Sequence, residues 1–144
     1  MGNVERAQAL YEAFGQGDIP AVFAAFDPDI EWHEAEGNPY EPSGKAWIGL
    51  EPIQELFMKL GDTEWEGFTV TPRKFHDAGD TVIAEARYGG TYKATGKAID
   101  AQVCHIWTFR GDRIVGFQQY VDTAQLQDVT GARAGLQAVA EATA

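Results

Sequence analysis

The sequence predicts an α+β domain with its helices first and its strands last. Three observations carry that prediction. As far as about Leu60, apolar residues recur at helical spacing in segments broken by Gly and Pro. From Glu64 onward the pattern changes to runs rich in aromatic and β-branched residues with a period of two. Within that half, Lys97 to Asp122, KAIDAQVCHIWTFRGDRIVGFQQYVD, reads as two long strands folded about a Gly111-Asp112 turn.

In chain order, Val4, Ala7, Tyr11 and Phe14 mark a helix over residues 4–15, stopped by Gly15 and Gly17. Asp18 caps a second helix with Pro20 in its first turn; Val22, Phe23 and Phe26 form its apolar face, and Asp27-Pro28-Asp29 ends it. In the strand that follows, Ile30, Trp32 and Glu34 share the inward side, with Glu31 and His33 on the other. Residues 35–49, with two prolines and three glycines, read as a loop long enough to be a lid. Its Tyr40 and Trp47 either cover a cavity or anchor the loop to the core. Pro52 opens a third helix whose buried stripe is Ile53, Leu56, Phe57 and Leu60, ended by Gly61.

Strands are expected over 65–75, 81–88, 91–109 and 113–121. The first and second are joined by a turn at 77–80 and the second and third by Gly89-Gly90, while Gly67, Gly89, Gly90 and Gly96 mark bends or bulges in a strongly curved sheet. Asp122, with Gln125 three residues on, caps a last short helix. One domain is expected over residues 1–129, followed by an alanine-rich tail, 130–144, that is a weakly docked helix or disordered.

A chain of 144 residues buries roughly two-thirds of its unfolded surface without staples, and 44% hydrophobic residues supply a core. Its 22 acidic against 11 basic residues leave a formal charge of −11, a field that repels phosphate backbones and anionic membranes. A nucleic-acid or membrane partner is therefore not expected. The single Cys104 cannot form an internal disulfide and reads as a small buried hydrophobe. MGNVERAQ is no basic-then-apolar leader, and no run approaches the ~18 apolar residues of a membrane helix, so a soluble, cytoplasmic protein is expected.

The residues contain no phosphate-cradling glycine motif, no metal-ligand cluster and no nucleophile elbow, and Ser43, the one serine, sits in a loop. No metal or organic cofactor is expected. Acid–base chemistry remains, which needs carboxylates or imidazoles facing a dry cavity. Glu34 reads as a general base beside Trp32, or as a solvated carboxylate at a strand end. His105 reads as an acid, hydrogen-bond donor or orienter, or as a satisfied core histidine. His33 and His76 read as surface or interface residues. One of Gln118 and Gln119 faces inward whatever the register.

The segments YEAFGQGDIPAVFAAFDPDIEW, HIWTFRGDRIV and QQYVDTAQL resemble the SnoaL-like branch of the nuclear-transport-factor-2-like superfamily, which also contains the ketosteroid isomerases. The likeness runs from about Val4 to Leu126. It implies an α+β cone, in which the N-terminal helices pack in the concavity of a strongly curved, mostly antiparallel sheet and enclose an apolar pocket, usually as a homodimer through the outer sheet face. The position of the isomerases' aspartate base falls on Glu34, and that of their protonated-aspartate oxyanion donor on His105. Their oxyanion-hole tyrosine falls on Leu10, one before Tyr11. The catalytic aspartate of the polyketide cyclases falls on Gln119, which argues against the cyclase reaction in its usual form.

The reading that results is a small, largely apolar, carbonyl- or hydroxyl-bearing ligand, with Glu34 and His105 catalytic in an isomerase- or cyclase-like proton transfer. Tyr11, Trp32, Trp47, Trp107, Phe117 and Gln119 are its expected ligand contacts. The alternative is a non-catalytic carrier or sensor, or a dimerisation module, on the same fold. The resemblance adds one test of register. A two-residue turn at Gly111-Asp112 sets His105 opposite Gln118, whereas the resemblance puts His105 and Gln119 in one cavity. Both hold only if a bulge interrupts a strand between the turn and those residues.

Overall fold

In the computed structural model, which describes residues 1–133, the helices do come first. Helix α1 spans Asn3–Gly15 and α2 Ile19–Ala24. The Asp18 carboxylate caps α2 by accepting from Ala21 N–H at 3.2 Å. Phe26 lies beyond this helix and opens strand β1 (Phe26–His33), so the apolar residue assigned to the helix face belongs to the sheet. After the loop come a two-residue strand β2 (Trp47–Ile48) and α3 (Glu51–Met58). Helix α3 does not stop cleanly at Gly61. It widens into a π turn over Lys59–Thr63, a feature that often sits at functional sites.

The remaining strands are β3 (Trp65–Ala78), β4 (Thr81–Tyr92), β5 (Ala98–Arg110) and β6 (Arg113–Val121), and α4 (Thr123–Thr130) follows. Asp122 caps α4 through Gln125 N–H at 3.1 Å, as expected. The β4–β5 turn differs from expectation. Gly89 and Gly90 stay within β4, paired with Asp100 and Ile99, and the chain turns at 93–97 around Gly96. The two glycines instead admit the neighbouring strand: a Cβ on Gly90, whose φ is +130°, would lie 2.9 Å from the Phe68 Cα. Of the tail expected from residue 130, the part from 134 onward lies outside the described residues.

One six-stranded sheet results, in the order β2-β1-β6-β5-β4-β3, antiparallel throughout except for β1 beside β6. Its inner face carries Val82, Ala84, Ala86 and Tyr88 from β4 and Ile99, Ala101, Val103, His105, Trp107 and Phe109 from β5, all buried at the period of two. Cys104 falls between them on the outer face and is half-buried, not a core residue. The predicted bulge is present. Phe109 pairs with Ile114 but Thr108 pairs with Gly116, leaving Val115 unmatched, so that His105 faces Gln119 and Trp107 faces Phe117. Without that extra residue Gln119 would point outward.

Candidate active site

Between the sheet and the helices lies a cavity walled by aromatic rings. The space in which the centre of a water-sized sphere can move is about 80 Å³, several times the ~10–15 Å³ that one water needs on that measure. Phe14 and Phe57 from the helices, Trp32 from β1 and Trp107 and Phe117 from the sheet make its apolar end. Trp32 and Phe117 are paired residues on neighbouring strands, and their rings stack at 3.8 Å between centroids.

A chain of hydrogen bonds crosses the other end. Trp107 Nε1 donates to Tyr11 Oη at 2.9 Å, and Tyr11 Oη lies 2.6 Å from His105 Nδ1. On the far side of the imidazole, Nε2 lies 2.6 Å from Tyr88 Oη, which accepts from Gln119 Nε2 at 2.9 Å. Gln119 Oε1 in turn accepts from Asn38 Nδ2 at 2.8 Å and from Ala35 N–H at 3.2 Å. The chain ends at the base candidate, for Asn38 Nδ2 also donates to Glu34 Oε2 at 3.4 Å. The α1, β4, β5 and β6 elements, the 35–49 loop and Glu34, one residue past the end of β1, each contribute a member. The loop is held over the site at three points: by Asn38, by Tyr40 Oη donating to Glu64 at 2.9 Å, and by the Gly37 carbonyl accepting from Gln127 Nε2 at 2.7 Å.

Glu34 is only 3% exposed, and burial lifts its pKa from 4.5 to about 7. The Trp32 indole N–H offsets part of that rise from close by, yet it lacks hydrogen-bond geometry to the carboxyl. Among the described residues it is the one buried side-chain polar atom with no partner. Burial pushes His105 the other way, to about 3, so the ring is neutral at physiological pH. Burial also raises both Tyr11 and Tyr88, so that each keeps its hydroxyl proton.

Seven of the eight residues proposed from sequence line this cavity: Glu34, His105, Tyr11, Trp32, Trp107, Phe117 and Gln119. Trp47 does not. It pairs with Trp32 across β1–β2, packs half-buried on the core, and donates to Glu41 at 3.3 Å, which is the anchoring alternative for the loop. His105 is placed in the cavity wall as expected, but both its nitrogens are taken by tyrosines, which leaves no ring nitrogen for a hydrogen bond to a ligand. His33 and His76 sit away from the cavity, beside Glu31 and Glu85. Sequence reasoning missed Tyr88 and Asn38. Among the described residues no group of three His, Cys, Asp or Glu gathers as a metal would need, and no helix is long and apolar enough to cross a membrane.

A curved, mostly antiparallel sheet closed by N-terminal helices around an aromatic cavity with a buried acid–base network defines a protein of the NTF2-like cone class. The SnoaL-like domain family matches residues 7–117, and the chain belongs to it. An NTF2-like protein from Burkholderia thailandensis is similar at 36% identity and a TM-score of 0.79, over 87% of this chain and 94% of that one. TerC, solved with polyporic acid, is similar at 25% identity and a TM-score of 0.77, over 90% and 98% of the two chains. A protein of ketosteroid isomerase-like fold from Catenulispora acidiphila, in complex with trimethylamine, shares the fold at 24% identity and a TM-score of 0.72, over 91% and 95%. A search of curated proteins finds no match.

Proposed function

We propose that this protein binds a small, largely apolar molecule bearing a carbonyl or hydroxyl oxygen and moves a proton on a carbon beside that oxygen. The observation that carries the reading is Glu34: a carboxyl buried in an aromatic cavity, raised to about 7, at one end of a network whose other members are uncharged donors. As carboxylate it takes a proton from the carbon next to a carbonyl. The electron pair moves onto the carbonyl oxygen, where a tyrosine hydroxyl donates to the developing negative charge, and Glu34 returns the proton to the same or a neighbouring carbon. His105 serves this step through Tyr11 and Tyr88, with neither ring nitrogen hydrogen-bonded to the ligand. Polyporic acid in TerC and trimethylamine in the Catenulispora protein are small molecules held by neighbours on this fold, which supports the ligand-binding part of the reading.

The test needs no knowledge of the natural substrate. Two apolar ketones of different size, cyclohexanone and β-tetralone, are incubated with the protein in heavy water, and hydrogen–deuterium exchange beside the carbonyl is followed by NMR. Exchange should be accelerated, should rise with pH through about 7 as Glu34 ionises, and should fall by at least ~100-fold in Glu34→Gln. Equal exchange rates in the two proteins would refute the base, and binding without exchange would mark a carrier.

A homodimer through the outer sheet face and a cytoplasmic location belong to the same proposal. Tyr120, 57% exposed on that face, supports the first. A monomer mass in light scattering would remove the dimer, and an export signal in the full reading frame would remove the location.

A further inference from the structure

The orientations in the buried network follow from its outer partners. Asn38 Oδ1 accepts the Tyr40 N–H at 2.9 Å, so its NH₂ group faces Gln119 and Glu34. Gln119 Oε1 accepts twice, so its NH₂ group faces Tyr88. Trp107 Nε1 can only donate, and it donates to Tyr11. Each tyrosine oxygen thus receives one N–H from outside and stands 2.6 Å from one nitrogen of His105.

A neutral imidazole has one N–H and one lone pair. The four contacts Trp107–Tyr11, Tyr11–His105, His105–Tyr88 and Tyr88–Gln119 therefore use four hydrogens. The indole, the amide, the imidazole and the two hydroxyls direct five into the chain. One hydroxyl hydrogen is always left over, on whichever tyrosine accepts the His105 N–H. Both tyrosines line the cavity, so the surplus donor has the cavity to turn into.

We propose that His105 is a tautomeric selector: with its proton on Nδ1 it frees the Tyr11 hydroxyl for a ligand oxygen, and with its proton on Nε2 it frees that of Tyr88. Either state holds the same protons, one on the ring and one on each hydroxyl, so exchange between them needs no net uptake or release. Among the described residues no carboxylate hydrogen-bonds the ring to favour either nitrogen, and both its hydrogen bonds go to hydroxyls at the same distance. The cavity can then meet an acceptor oxygen at either of two places with one histidine. This rests on the ligand-binding part of the proposed function and is independent of proton abstraction by Glu34.

The test is nitrogen NMR of the His105 side chain, which separates the two neutral tautomers, in the wild type, Tyr11→Phe and Tyr88→Phe, without and with 4-nitrophenolate or β-tetralone as the acceptor probe. With probe bound, Tyr11→Phe should carry its proton on Nε2 and Tyr88→Phe on Nδ1. Each single variant should hold the probe within about tenfold of wild type, the worth of one hydrogen bond, and the double variant should lose more than the two together. The same tautomer in both single variants, or one single variant losing as much as the double, overturns the proposal. The wild type decides the matter even if the variants misfold: one pure tautomer, unchanged by either probe, or a protonated ring, overturns it, and two populated tautomers whose ratio shifts with the probe sustain it. A protein that fails the ketone-exchange test while its tautomers still respond to probe has lost only the catalytic reading.

Discussion

His105→Ala is expected to lower the unfolding free energy by about 3–5 kcal/mol. The side chain is 5% exposed and sits where four aromatic rings, Tyr11, Tyr88, Trp107 and Phe117, lie within 6 Å between centroids. Removing it opens space that those rings cannot all collapse into, which alone costs on the order of 2 kcal/mol or more. It also takes a hydrogen-bond partner from both Tyr11 and Tyr88, each an additional ~1 kcal/mol or more although each keeps its outer N–H donor. Urea denaturation at neutral pH measures the loss. Less than ~1 kcal/mol would mean that the buried chain of hydrogen bonds contributes little to the fold. The choice between a structural and a functional histidine thus dissolves: the two hydroxyls that it satisfies are the donors assigned to the ligand.

Glu34→Gln is expected to be more stable than the wild type at neutral pH, by on the order of 3 kcal/mol, and about equal to it near pH 4. In the folded chain the Glu34 pKa is raised to about 7, and unfolded it is the ordinary 4.5. A raised folded pKa contributes stability that is complete below 4.5 and is lost as pH rises through 7, at roughly 1.4 kcal/mol for each pH unit separating the two values. His105 works the other way. Its folded pKa is depressed to about 3 from 6.5, so its contribution is complete above 6.5 and is lost as pH falls through 3. Between pH 4.5 and 6.5 the two slopes oppose, and as far as these groups decide it the wild type is nearly flat there. Glutamine removes the opposing slope, so the variant should gain stability steadily across that window. Denaturation curves at half-unit pH steps read both slopes. A difference between the two proteins that does not change with pH would show that Glu34 is not held protonated by burial. The stability that glutamine recovers is what a buried base gives up to be useful.

Much of this architecture was legible in the chain because it rests on local periodicity. The inward set Ile30, Trp32 and Glu34 followed from the period of two. The bulge at Val115 came from a conflict between turn geometry and family resemblance, and Thr108 pairing with Gly116 resolves it. Tyr88 obeys the same period as Val82, Ala84 and Ala86, but it was hidden by the glycine pair after it, which looked like a strand end and is a site of close strand approach. Asn38 left no periodic signal. It lies in a Pro- and Gly-rich loop beside Gly37, which takes a φ of +84°, and its partner Gln119 is 81 residues away, so only closure of the whole cone makes it part of the site. Trp47 was misjudged for the opposite reason: a large ring in a lid suggests a cavity wall, but pairing with β1 turned it to the core's flank.

The most direct measurement is a titration of the Glu34 side-chain carboxyl carbon by NMR, with Glu34→Gln used to assign the signal. A midpoint near 7 is expected, from a carboxyl that burial keeps protonated until neutral pH and then leaves poised as a base. A midpoint near 4.5, the value of a solvated glutamate, would contradict it.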